Sequence, residues 1–99
     1  MTRNEDKLSE VLSYLEKTIE DRKKSKNKSY TSDLLSQGID RISQKVGEEA
    51  VETVIDGVSG PKDRVISESA DLLYHLLVLW AARDVKPDEV WAELGKRVK

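Results

Sequence analysis

Apolar residues recur along this chain at intervals of three and four and never in strict alternation, so the pattern predicts helices throughout and no strand. Leu8, Val11, Leu12, Leu15 and Ile19 mark a first amphipathic helix ending near Lys24. The polar, basic stretch Ser25-Lys26-Asn27-Lys28-Ser29-Tyr30 reads as a loop. Thr31 is placed to cap a short helix running through Gln37, with Gly38 ending it. A long helix follows from about Ile39 to Asp56, with Ile39, Ile42, Val46, Ala50 and Val54 on its apolar face and Gly57 closing it. Ser59-Gly60-Pro61 is a turn, and Pro61 is suited to start the next helix. That helix, reaching about Arg83, is the most apolar element. Val65, Leu72, Leu73, Leu76, Leu77, Leu79 and Trp80 cover more than one of its faces, which places it at the centre of a bundle or at an oligomer interface. Pro87 starts a last helix whose stripe is Val90, Trp91, Leu94 and Val98.

The expectation is an all-α fold, a compact helical bundle of about four to five helices. Ninety-nine residues make one domain, residues 1–99, with a flexible lead-in over residues 1–7. Apolar residues are 37% of the chain and charged residues 36%, so the core is thin and gains from burying a further face against a second copy. A net charge of −2 argues against bulk attraction to nucleic acid or to an anionic membrane. The absence of cysteine excludes a disulfide framework, a thiolate metal site and a cysteine nucleophile. The polar start Met1-Thr2-Arg3-Asn4-Glu5-Asp6-Lys7 is unlike a signal peptide, and the longest apolar run, Leu72 to Ala82, is too short to span a bilayer. These features point to a soluble cytoplasmic protein with no membrane or nucleic-acid partner.

The acids carry the chemistry. Glu49 and Glu52 stand three residues apart, as do Glu68 and Asp71, so each pair shares one face of its predicted helix. If those helices pack side by side, the four carboxylates converge, and their repulsion calls for a cation between them. Oxygen ligands alone suit a hard divalent ion, foremost Mg²⁺, working with a substrate's phosphates. Single acidic spacings of this kind usually mark a solvated face. Here Asp71 lies between Ala70 and Leu72-Leu73, at the margin of an apolar surface where an unpartnered acid is costly. Asp56 extends the first acidic face, and Lys45, one turn before Glu49, either neutralises it or reaches a phosphate.

Arg22, Lys23, Lys24, Lys26 and Lys28 form a basic cluster with two readings: cations favouring a helix C-terminus, or a patch steering phosphate to the acids, with Lys24 and Lys28 among its contacts. His75 is more simply a satisfied core histidine than a base, and Trp80 and Trp91 are packing residues. No glycine-rich phosphate loop or dinucleotide fingerprint is present, so phosphate must be held by metal and basic side chains.

Ser29-Tyr30-Thr31, Gly38-Ile39-Asp40-Arg41-Ile42, Lys45 to Glu52 and Ala70-Asp71-Leu72-Leu73-Tyr74-His75-Leu76-Leu77-Val78-Leu79 together resemble the phosphoribosyl-ATP pyrophosphohydrolase family, within the MazG-like all-α nucleotide pyrophosphohydrolases. The superfamily hallmark of Glu-Glu-x-x-Glu followed by Glu-x-x-Asp reads here as Glu48-Glu49-x-x-Glu52 and Glu68-x-x-Asp71. The resemblance implies Mg²⁺-dependent hydrolysis of N1-(5-phosphoribosyl)-ATP to phosphoribosyl-AMP and pyrophosphate, the second step of histidine biosynthesis, in a homodimer. It implies Glu49, Glu52, Glu68 and Asp71 as metal ligands, with Glu48 and Glu49 in catalytic roles. Two alternatives stand beside it: a house-cleaning pyrophosphohydrolase of another nucleoside triphosphate, and a non-enzymatic helical dimerisation module.

Overall fold

The computed structural model describes residues 4–25 and 27–98, with side chains from Lys7 onward. Its elements are α1 (Asn4–Lys24), α2 (Tyr30–Ser36), α3 (Ile39–Ser59), α4 (Lys62–Ala82) and α5 (Pro87–Lys96), and the described residues contain no strand. The expected all-α bundle is what forms. Of the expected flexible lead-in, Met1–Arg3 lie outside the described residues, and Asn4–Lys7 belong to the first turn of α1.

Two boundaries differ from the sequence expectation, each for a local reason. The cap of α2 is Ser29 rather than Thr31. Ser29 is extended at φ −156°, its hydroxyl accepts the Ser32 amide at 3.0 Å, and the Ser32 hydroxyl accepts the Ser29 amide at 2.9 Å. Thr31 is thereby carried inside, where its hydroxyl meets that of Tyr74. Gly57 does not end α3, which runs one turn further to Ser59. A helical glycine costs only about 1 kcal/mol, and the hydrogen-bond ladder continues past it, the Gly60 amide donating to the Asp56 carbonyl at 2.8 Å. Gly38 sits at φ +92° between α2 and α3, a conformation that favours glycine.

α3 and α4 form an antiparallel hairpin through Gly60-Pro61: Asp56 faces Arg64, and the Thr53 hydroxyl reaches the Glu68 carbonyl at 3.3 Å. Gly60 is required at this tip, because a Cβ there would lie 2.8 Å from the Asp56 Cα. α1 and α2 cover the far end of the hairpin. There Ile19, Leu34, Ile42, Leu77, Val78 and Ala81 make the apolar core, flanked by Leu15, Leu35, Tyr74, Leu79 and Trp80. Each fully buried aliphatic side chain in such a core contributes about 1.5–3 kcal/mol. Lys23 fastens α1 to the end of α4, its ammonium donating to the Ala81 carbonyl at 2.7 Å and meeting Asp84 at 3.1 Å. α5 starts at Pro87 and rests Trp91 edge-on against Trp80, with centroids 5.6 Å apart.

α4 is long and apolar enough, by length and composition alone, to cross a bilayer. It buries Glu68, His75, Leu77, Val78 and Ala81 against its neighbours, which is the position of a bundle's central helix.

Candidate metal centre

Along α3, Ile42, Glu49, Thr53 and Asp56 recur at spacings of seven, four and three, so they share the face turned to α4. On α4, Arg64, Glu68, Asp71, His75 and Val78 keep the same rhythm. Both inner faces therefore change character halfway along, from apolar at the α1–α2 end to ionic at the hairpin tip. The valines of the tip half point outward instead. Val51, Val54, Ile55 and Val58 on α3 and Ile66 and Leu73 on α4 are exposed, Val58 to 83%. The sequence expectation placed Val54 and Ile39 on the buried face, yet they are 64% and 41% exposed, while Ile42 is fully buried. Periodicity alone does not say which stripe faces in, and here the acidic one does.

Glu49, Glu68 and Asp71 each place a carboxylate oxygen within 4.8 Å of the others. Glu49 and Glu68 are each only 7% exposed, whereas Asp71 lies at the rim. Each buried glutamate is divided in the same way. One oxygen meets a cation four residues before it: Lys45 to Glu49 Oε1 at 3.3 Å, and Arg64 to Glu68 Oε1 at 3.4 Å. The other, Oε2, is buried with no hydrogen-bond partner in either residue. An orphaned buried acceptor normally costs about 1–3 kcal/mol, and more when charged. Two of them beside a third carboxylate make a donor set that fits a hard divalent cation. The Thr53 hydroxyl donates to the Glu49 carbonyl at 2.8 Å and lies 3.3 Å from that of Glu68, fixing the register of the two ligand-bearing helices.

The other predicted residues are placed less centrally. Glu52 is exposed on α3, outside the three-carboxylate cluster, although within a turn of Glu49. Glu48 faces Arg41 at 3.6 Å on the protein surface. Lys24 and Lys28 are exposed and make no ion pair among the described residues, and Lys26 lies outside the described residues. Partial burial pulls the Lys45 pKa down, but the hydrogen bond to Glu49 and the charges of Tyr30, Glu49 and Glu48 carry it above the usual lysine value. Lys45 is therefore a permanent cation at neutral pH. Asp56 was legible as an extension of the acidic face; its partner Arg64 was not singled out by the sequence, and its i,i+4 spacing to Glu68 was the available signal.

His75 closes the site on the α2 side. Its Nδ1 lies 2.7 Å from the Asp71 carbonyl, which only accepts, so Nδ1 carries the proton. Nε2 then accepts from the Tyr30 hydroxyl at 2.7 Å. The histidine is fully satisfied, as the sequence argument favoured. With the Thr31–Tyr74 hydroxyl pair, it docks the Ser29-Tyr30-Thr31 segment onto α4 beside Lys45.

The class defined by fold and site is an all-α helical bundle whose central hairpin carries a carboxylate cluster, flanked by cations, of a composition that fits a hard divalent metal. Residues 12–98 match the family model described as phosphoribosyl-ATP pyrophosphohydrolase, and the chain belongs to that family. A phosphoribosyl-ATP pyrophosphatase of Azospirillum brasilense is 53% identical over 95 residues, covering 94% of this chain and 86% of its own length. One from Granulibacter bethesdensis is 61% identical over 70% of this chain and 43% of its own length. One from Paramagnetospirillum magneticum is 58% identical over 72% of this chain and 65% of its own. The chain thus spans under half of the Granulibacter relative and about two thirds of the Paramagnetospirillum one.

Proposed function

We propose that this chain hydrolyses N1-(5-phosphoribosyl)-ATP to phosphoribosyl-AMP and pyrophosphate, with Mg²⁺ held by Glu49, Glu68 and Asp71 and completed by Glu52. The observation that carries the reading is the pair of orphaned oxygens, Glu49 Oε2 and Glu68 Oε2, in a member of this family. When bound, Mg²⁺ would neutralise the triphosphate and the charge that grows as its anhydride breaks. Glu52, exposed on α3 three residues after Glu49, is the remaining acid of the motif and would complete the ligand set from the solvent side. The Thr53 clasp keeps Glu49 and Glu68 in register, while Lys45 and Arg64 offset part of their charge. Lys45 takes substrate phosphate from the α2 side, and Lys24 and Lys28 contribute longer-range attraction.

Hydrolysis of the α–β anhydride adds water across the bond. The bridging oxygen stays with one fragment, and water supplies oxygen to the other. The proton lost by water passes to a carboxylate of the cluster. Glu48, turned to Arg41, supports the α3 surface beside the site rather than meeting the substrate.

The chain acts as a homodimer. The outward stripes of α3 and α4 form an apolar surface that a second copy covers, as the thin core requires. Sedimentation of Ile55→Asp with Val58→Asp should give a monomer, and an unchanged oligomer would remove that interface.

The deciding experiment is pyrophosphate release from phosphoribosyl-ATP, with Mg²⁺ and with EDTA. Metal-dependent release is expected. A folded protein that releases none, yet hydrolyses other nucleoside triphosphates, would shift the substrate to the house-cleaning class.

A further inference from the structure

The two cations beside the carboxylates are not equivalent, and their difference gives the site a direction. In the antiparallel hairpin, Lys45 precedes Glu49 on α3 and Arg64 precedes Glu68 on α4, so they lie at opposite ends of the cluster. Lys45 stands at the inner end, near Tyr30. There the exposed Tyr30 ring, anchored through its hydroxyl to His75 Nε2, offers an aromatic face of the kind on which a base stacks. Arg64 stands at the tip, where the chemistry is purely ionic. Its Nε faces Asp56 at 3.6 Å, its Nη2 faces Glu68 at 3.4 Å, and Nη1 has no ion-pair partner among the described residues. The side chain is 60% exposed. Asp56 itself folds over the helix end because Gly60 has no Cβ to collide with it. Arg64 is thus aimed by two acids, with donors left over for a planar fork onto phosphate oxygens.

We propose that Arg64 is a pyrophosphate-binding residue, and that the substrate lies along the hairpin with its terminal phosphates at the α3–α4 tip and its nucleoside toward α2. This rests on the reading of the centre as a pyrophosphohydrolase site. The test is calorimetric titration of inorganic pyrophosphate into Mg²⁺-supplied wild type, Arg64→Gln and Arg64→Lys, with Mg²⁺ alone titrated into each. Arg64→Gln should lose about tenfold in pyrophosphate affinity, the worth of one charge-assisted contact, and Arg64→Lys should recover part of it. Mg²⁺ affinity should hold or tighten, since Arg64 competes for Glu68. Unchanged pyrophosphate binding in Arg64→Gln, no pyrophosphate binding by the wild type, or a parallel fall in Mg²⁺ affinity would each overturn the assignment. Turnover of phosphoribosyl-ATP is read separately: wild type that binds pyrophosphate through Arg64 without turning over that substrate would sink the substrate assignment and keep the residue's role.

Discussion

The two ends of the α3–α4 hairpin are built on opposite principles. At the α1–α2 end, Ile42, Leu77 and Val78 meet Ile19 and Leu34 in a dry core, and the helices' polar residues face out. At the tip, the same two helices turn Glu49, Glu68, Asp56 and Arg64 toward each other and leave Val54, Ile55, Val58 and Ile66 outside. One end lowers the free energy of the fold, and the other holds like charges together at its expense. The difference teaches that a helix can be amphipathic along its whole length and still invert its orientation midway. It is the interior acids of the tip, and not its apolar surface, that reveal the purpose of the inversion.

Neutralising the acidic interior should have the largest effect and separate the two ends most sharply. Glu49→Gln or Glu68→Gln should lower turnover by more than about a hundredfold, the upper range for losing even an outer partner of a metal ligand. In EDTA the same variants should melt higher than wild type. Relieving an orphaned carboxylate oxygen outweighs losing a solvent-screened ion pair, for a gain of about 1 kcal/mol. Lower metal-free stability would mean that the tip is held by its ion pairs. At the other end, Ile42→Ala should cost about 3 kcal/mol in denaturant unfolding and leave Mg²⁺ affinity nearly intact; coupled loss of both would erase the division. Thr53→Val should cost about 1 kcal/mol and weaken Mg²⁺ binding modestly, because the clasp sets helix register without touching metal. Glu48→Gln should change turnover least, within about threefold, as its exposed partner Arg41 contributes little; a large loss would return Glu48 to the catalytic set.

Much of this was legible in the sequence because it is local. The helices followed from three-four periodicity, and the turn at Gly60-Pro61 from its residues. Glu49, Glu68 and Asp71 could be paired by spacing once two neighbouring helices were expected to pack. What was hidden depends on rotation about the helix axis. A stripe of valines and a stripe of acids both satisfy the period, so Val54 was assigned inward when Thr53 and Asp56 occupy that face. Basic residues misled for a related reason. Lys23 reads as part of a phosphate patch but spends its charge on the Ala81 carbonyl and Asp84, whereas Arg64, remote from the basic cluster, reaches the centre. Long side chains choose partners by tertiary geometry, which a linear charge run does not encode.

The hairpin's continuity also bears on how the molecule acquires its shape. Every residue of the centre, from Lys45 through His75, lies on one helix–turn–helix segment closed by a two-residue link. Contacts at such short sequence separation form early in folding, before distant elements dock. Carboxylate repulsion is therefore met at the first pairing of the helices, before α1 arrives to cover the opposite end. Refolding should be accelerated by Glu68→Gln and by millimolar Mg²⁺, since either relieves that repulsion while the hairpin forms.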